Sequence, residues 1–388
     1  MHQEMYVQAL TLYLLTWITN LGVGTGSSVF FPVEGNVYPL GYYTVAINIG
    51  NPSKFYVLDV DTGSDLTWIR SYGENAYIPK EENKLSCDDL ICTSLGDHRM
   101  NGDICDSTGL SCEFEVDYGD YSSYTGLLVS DSFHLELTNG TTLDLQIAFG
   151  SVDSNVEPSF HQPIGDGLLG LGKGKVGILK QLGDIGLIRN VIGHCLSRQG
   201  GGYLFFGETP VYRITWKQLS CINDEHYSLG SADILLDGQA TDIRNLCIIF
   251  DSGSTFTYLN SKSYEALLDL VNKTINGKLS VANDDKALPF CWKDVMPIQT
   301  IDQVARAFSP IALNFTDENN VVQFEMLPES YLIITEKHNI CLGILNGGEI
   351  GLGDVNLIGD ISMQDKLVIY DNENHMVGWA ADTCNKRF

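Results

Sequence analysis

Residues 60–68, "VDTGSDLTW", follow the apolar run Phe55-Tyr56-Val57-Leu58 and deliver a carboxylate, Asp61, straight into Thr62, Gly63 and Ser64. An unpaired charge at the end of a buried strand costs several kcal/mol or escapes ionisation through a shifted pKa, so something must offset it. A turn would account for one such stretch, because Asp, Thr, Gly and Ser are all turn formers. The stretch has a partner, however. Residues 247–256, "CIIFDSGSTF", again bring an Asp, Asp251, into Ser252-Gly253-Ser254, 190 residues after Asp61. Leu168-Leu169-Gly170 begins 107 residues after Asp61, and Leu357-Ile358-Gly359 begins 106 residues after Asp251. Two pairs with one period imply two related lobes, each contributing one Asp-Thr/Ser-Gly loop and one strand packed beside it.

Between these landmarks the chain reads as short strands. "YYTVAINIG", "FYVLDVD", "CEFEVDY", "GLLVSDSFHLEL" and "GGYLFFGE" alternate or run apolar between Gly, Asn, Asp and Pro. Helices are few. Residues 261–275 place Tyr264, Leu267, Leu268, Val271 and Ile275 on one helical face, and 176–188 form a second candidate interrupted by Gly177, Gly183 and Gly186. The expected fold class is mainly β and bilobal. The N-terminal lobe, 27–209, carries Asp61 and the C-terminal lobe, 210–388, carries Asp251, with the boundary near Glu208-Thr209-Pro210.

The chain has 388 residues, 44% of them apolar, enough to bury a large core. Its 23 basic and 49 acidic side chains give a formal charge of −26, a field that repels nucleic acid and anionic membrane surfaces. With a pI near 4.4, self-repulsion falls as pH drops toward 4, which suits an acidic compartment. Residues 1–26 carry an apolar run from Ala9 to Thr19, too short to span a bilayer and matching the centre of a secretory signal, although Glu4 stands in the leading segment and no Lys or Arg does. The tail "WAADTCNKRF" lacks the apolar end of a lipid-anchor signal. A soluble secreted or vacuolar monomer is expected. Ten cysteines suit that route: the spacings Cys87 to Cys92 and Cys105 to Cys112 favour local disulfide loops, whereas zinc-ribbon spacing is absent. Asn139-Gly-Thr, Asn272-Lys-Thr and Asn314-Phe-Thr are glycosylation acceptors.

Two carboxylates brought together across a lobe interface cannot both ionise easily, so the pair holds one proton through an acidic window. A water between them can then lose a proton to one carboxyl while the other protonates a peptide carbonyl oxygen, giving a tetrahedral intermediate without a covalent adduct. Gly63 and Gly253 let backbone approach the carboxylates, and the hydroxyls of Thr62, Ser64, Ser252 and Ser254 are suited to fix their orientation.

From about Gly41 onward the sequence resembles the pepsin-like aspartic proteases. The stretches "GYYTVAINIGNP", "DTGSDLTW", "DGLLGLGKGKVGIL", "NVIGHCLS", "CLGILNGGEIGL" and "NLIGDISMQDKLVIYDNE" are similar to the plant nucellin-like group within the nepenthesin-like enzymes. The resemblance implies a cleft between two pseudo-symmetric lobes, Asp61 and Asp251 as the catalytic dyad, and acid-pH endopeptidase activity on extended polypeptides. It implies a flap over the cleft in "CEFEVDYGDYSSYTGLLV", with Tyr118 and Gly119 meeting substrate and Trp68 as hydrogen-bond partner of Tyr118. An ordinary surface aromatic is the alternative for Tyr118. Tyr121 and Tyr124 stand where related flaps carry smaller residues, and are expected to narrow the cleft or replace Tyr118. The resemblance pairs Cys291 with Cys341. It does not place cysteines at Cys221 and Cys247, for which mutual pairing and a buried reduced thiol at Cys247 are both open. "IRSYGENAYIPKEENKLSC" lacks the cysteines that related enzymes carry directly after the first loop, and the stretch before the first strand is too short for an inhibitory prosegment.

Related plant proteins of this architecture inhibit cell-wall-degrading glycosidases, so a secreted binding protein is the rival reading. Gly165-Asp-Gly167-Leu-Leu-Gly170 formally matches a dinucleotide fingerprint, but "SVDSNVEPSFHQPI" before it reads as loop, and the glycines suit strand packing behind Asp61. No cofactor or metal is expected: the eight histidines form no helical metal pair, and His194 reads as a packed or surface residue. Glu81-Glu82 and Asp284-Asp285 read as solvated loop.

Overall fold

The computed structural model describes residues 28–96, 105, 110–119, 121–156, 165–208, 213–220, 226–316 and 321–385. The signal-like segment 1–26 and Cys221 lie outside them. Among the described residues the strands form sheets of thirteen, eight and four members. The chain is mainly β and bilobal, as the sequence implies.

The repeat in the sequence is a repeat in topology. Lys54–Asp61 pairs in parallel with Gly167–Gly170, setting Val60 opposite Leu169 and Asp61 opposite Gly170. Leu246–Phe250 pairs in parallel with Asn356–Ile358, setting Phe250 opposite Ile358. Each Asp therefore stands at the end of a strand that has a parallel neighbour; the first strand is buried on one face only, with Tyr56, Leu58 and Val60 inside and Phe55 and Val57 exposed, and not throughout as its apolar run implies. The glycines of the dinucleotide-like stretch are used up in this packing. A Cβ on Gly167 would lie 2.0 Å from the Trp68 carbonyl oxygen, and one on Gly165 would lie 2.4 Å from that of Val57. Gly359, the counterpart of Gly170 in the other lobe, is equally confined: a Cβ there would lie 2.1 Å from the Phe256 carbonyl oxygen, and one on Gly170 would lie 2.6 Å from that of Asp65.

Ser261–Ile275 is a helix with the expected face. Tyr264, Leu267, Val271 and Ile275 are buried and Leu268 is partly so, each full burial stabilising by roughly 1.5–3 kcal/mol. Asn260 caps it by accepting from the Ser263 amide at 3.1 Å, and Asn276 ends it in the left-handed region. The second helix is confined to Ile178–Ile185, because Gly177 is extended at its start and Gly186, at φ 75°, stops it.

The thirteen-stranded sheet carries strands from both ends of the chain. Lys366–Asp371 pairs with Val191–Leu196, setting Leu367 opposite Cys195 and Val368 opposite His194, and the Cys195–Cys384 disulfide joins residues 189 apart. His194 is fully buried with Nε2 3.2 Å from the Tyr370 hydroxyl, and burial pushes its pKa down to about 3, so it is a neutral packed residue.

Several expectations need correction. The clustered cysteines pair between clusters, Cys87 with Cys105 and Cys92 with Cys112, where the Cys112 amide donates to the Leu85 carbonyl at 3.0 Å and holds the two segments side by side. Cys247 is free and only partly buried, with its sulfur 3.8 Å from the Ser228 hydroxyl. Cys291–Cys341 is present, its residues directly opposed on neighbouring strands. Asp285 is buried and not solvated. Against the burial that would raise it, hydrogen bonds from Thr335 (2.6 Å), Asn339 (2.8 Å) and the Ala287 amide hold its carboxyl below the usual range.

Candidate active site

Both Asp loops are built alike. Asp61 accepts from the Gly63 amide at 2.7 Å and the Ser64 hydroxyl at 2.5 Å; Asp251 accepts from the Gly253 amide at 2.9 Å and the Ser254 hydroxyl at 2.7 Å. The strand ends bring the two carboxyls face to face. Each glycine fits against the opposite carboxyl: a Cβ on Gly63 would lie 2.4 Å from Asp251 Oδ1, and one on Gly253 would lie 2.4 Å from Asp61 Oδ1. Only a residue without a side chain permits this approach.

Thr62 and Ser252 do a different job from the one expected of them. They do not orient the carboxyls; they lock the loops to each other. The Thr62 amide donates to Ser252 Oγ at 3.1 Å, and the Ser252 amide donates to Thr62 Oγ1 at 2.9 Å. Ser252 Oγ in turn donates to the Val60 carbonyl at 3.0 Å. Both residues are buried, so this reciprocal pair fixes the distance between the lobes where the carboxyls meet. The sequence signal was available: a hydroxyl residue follows the Asp in both loops.

Asp61 is 5% exposed. Burial, then the charge of Asp251, pushes its pKa up, and hydrogen bonds from Ser64 and Gly63 only partly oppose this. A third carboxyl went unrecognised in the sequence. Asp360, 2% exposed, is held well above the usual carboxylate range by burial and then by Asp251, Asp61 and Asp59, and its Oδ1 accepts no hydrogen bond. The matching residue of the other lobe is Leu171, fully buried. Asp59 is likewise pushed up to about 7 by burial, with Arg70 opposing.

Glu113–Asp117 and Ser123–Glu136 form the hairpin expected over the cleft. Trp68 Nε1 donates to the Tyr118 hydroxyl at 2.6 Å, the predicted contact. Tyr124 neither narrows the cleft nor replaces Tyr118: it is buried and stacks on Trp68, ring centres 4.5 Å apart, because its strand turns it inward. Tyr121 is 74% exposed at the hairpin tip, and Gly119 is exposed beside it. Among the acceptor asparagines, Asn139 and Asn272 are exposed, whereas Asn314 is partly buried and accepts from Gln323 at 3.0 Å.

Residues 43–208 match the family described as "Xylanase inhibitor N-terminal", and residues 225–381 match "Xylanase inhibitor C-terminal". An aspartic proteinase of Oryza sativa subsp. japonica is 38% identical over 387 residues, covering 94% of this chain and 93% of the relative. Aspartic proteinase 39 of Arabidopsis thaliana is 27% identical, covering 92% and 78% respectively. The crystal structure of basic 7S globulin from soybean superposes with a TM-score of 0.72 at 17% identity, covering 92% of this chain and 97% of that one, a likeness of fold alone.

Proposed function

The chain belongs to the pepsin-like aspartic proteinase family, and from that premise we propose that it is an aspartic endopeptidase hydrolysing extended polypeptides at acid pH with Asp61 and Asp251 as its dyad. The observation that carries this reading is the facing of the two carboxyls across Gly63 and Gly253. The pair keeps one proton between them, the logic long described for aspartic protease dyads. Water held against both loses a proton to the ionised carboxyl as its oxygen attacks the peptide carbon. The protonated carboxyl gives its proton to the carbonyl oxygen, forming a neutral gem-diol. Collapse returns that proton to the dyad and delivers the water's proton to the leaving nitrogen, restoring the starting state. Tyr118 closes over this centre, and the Thr62–Ser252 lock holds the geometry without reorganisation.

The chemistry needs no cofactor. Four disulfides among the described residues support a secretory route, to the extracellular space or the vacuole, and the self-contained lobes support a monomer. A glycosidase-binding protein is the second reading, favoured by the description of the matching family. Purified protein incubated with denatured polypeptide near pH 4, beside Asp251→Asn and beside a xylanase inhibition assay, separates the two. Degradation abolished by Asp251→Asn supports the protease; xylanase inhibition with no degradation supports the binding protein.

A further inference from the structure

The hairpin over the cleft does not end in open solvent. Its tip is closed by two backbone hydrogen bonds, Tyr118 amide to Ser122 carbonyl at 2.9 Å and Tyr121 amide to Tyr118 carbonyl at 3.0 Å. This places Tyr121 at φ 66°, a left-handed backbone that a bulky side chain seldom adopts and that here aims the ring away from the hairpin's own core. The ring reaches the opposite lobe. There the short helical turn Gly347–Ile350 ends at Gly351, itself at φ 80°, and a Cβ on Gly351 would lie 2.3 Å from the Tyr121 hydroxyl oxygen. Gly119 makes a second approach, since a Cβ there would lie 3.8 Å from Leu352 Cδ2. One aromatic and one residue without a side chain thus meet from opposite lobes. Tyr118, three residues earlier, is held by Trp68 Nε1 at 2.6 Å.

We propose that Tyr121 is a specificity-determining residue that bridges the hairpin tip to Gly351, narrowing the cleft so that bulky substrate side chains enter only when this contact opens. This rests on the endopeptidase reading, but the contact itself does not. If the closed arrangement outweighs the open one about tenfold, a peptide that needs it open binds about tenfold more weakly than the site intrinsically allows. Small side chains pass beneath the ring and avoid that penalty.

The test uses the full chain with Tyr121→Asn, a residue that tolerates the left-handed turn while removing the ring, and separately Gly351→Ala, whose methyl collides with the hydroxyl. Deuterium exchange without substrate reads the contact independently of any activity. Tyr121→Asn is expected to speed exchange about fivefold in 347–352, on the other lobe, and Gly351→Ala to do the same in 117–122. Exchange in the opposite segment unchanged in either variant overturns the contact. With a peptide mixture, Tyr121→Asn is expected to raise kcat/KM about tenfold for aromatic over glycine at one substrate position. An unaltered preference overturns the specificity role. Coupled exchange with no hydrolysis by either protein retires that role together with the endopeptidase reading, and leaves the contact as an observation about the fold.

Discussion

Replacing Ser252 by alanine breaks the lock between the two loops while leaving both carboxyls chemically intact. The substitution removes the acceptor of the Thr62 amide (3.1 Å) and the donor to the Val60 carbonyl (3.0 Å). Both lost partners are buried backbone groups with little access to water. Two net hydrogen bonds at about 1 kcal/mol each, plus about 1–3 kcal/mol for orphaning the Thr62 amide, predict a loss of roughly 3–5 kcal/mol. The reciprocal bond from the Ser252 amide to Thr62 Oγ1 survives, so the loops stay together but less exactly placed. Urea unfolding of Ser252→Ala at pH 5 should show the lower midpoint with an unchanged slope. Adding Thr62→Val should cost less than the sum of the single changes, because both remove members of one network. Ser254→Ala is the control: it removes only the hydrogen bond to Asp251 Oδ2 at 2.7 Å, so it should reduce turnover more than stability. Ser252→Ala with a midpoint equal to that of the parent would refute the lock.

A carboxyl whose folded-state pKa lies above its unfolded value stabilises at pH below the unfolded value and loses that contribution as pH rises through the folded one. Asp360 is such a group, so Asp360→Leu, which copies Leu171 of the other lobe, should narrow the fall in melting temperature between pH 4 and pH 7.5; an unchanged gap would count against it. Cys384→Ser opens the disulfide that ties the chain end to the Val191–Leu196 strand, and should cost about 2–5 kcal/mol in chemical denaturation. Tyr118→Phe removes the hydroxyl that accepts from Trp68 Nε1, and should lower kcat/KM about tenfold with melting temperature within about 2 °C of the parent, since a single hydrogen bond is at stake.

The lobes and the facing of Asp61 with Asp251 were legible because a repeat of apolar strand, carboxylate, hydroxyl residue and glycine leaves few alternatives at each position. The helix 261–275 was legible for the same kind of reason, its apolar period being unbroken, whereas Gly177 and Gly186 trimmed the other. What pattern could not supply was long-range partnership. Thr62 and Ser252 look like local turn residues until the lobes are docked, and only then does each amide find the other's hydroxyl. Asp360 reads as one more acidic residue after a strand, and its burial among Asp59, Asp61 and Asp251 follows from the packing of three separate segments. Tyr124 and Tyr121 are three residues apart on one hairpin, yet strand direction buries the first against Trp68 and sends the second across the cleft. The cysteine pairing depended on which segments lie side by side, which spacing does not encode.

The pH dependence of kcat/KM on a peptide substrate, measured from pH 2 to 8 for the parent and for Asp61→Asn and Asp251→Asn, tests the shared proton most directly. One proton divided between two facing carboxyls predicts a bell with an acidic and a more alkaline limb, and a loss of at least about 10²-fold in each variant. A single sigmoidal limb, or parent-like hydrolysis by either variant, would show that the two groups do not act as a pair.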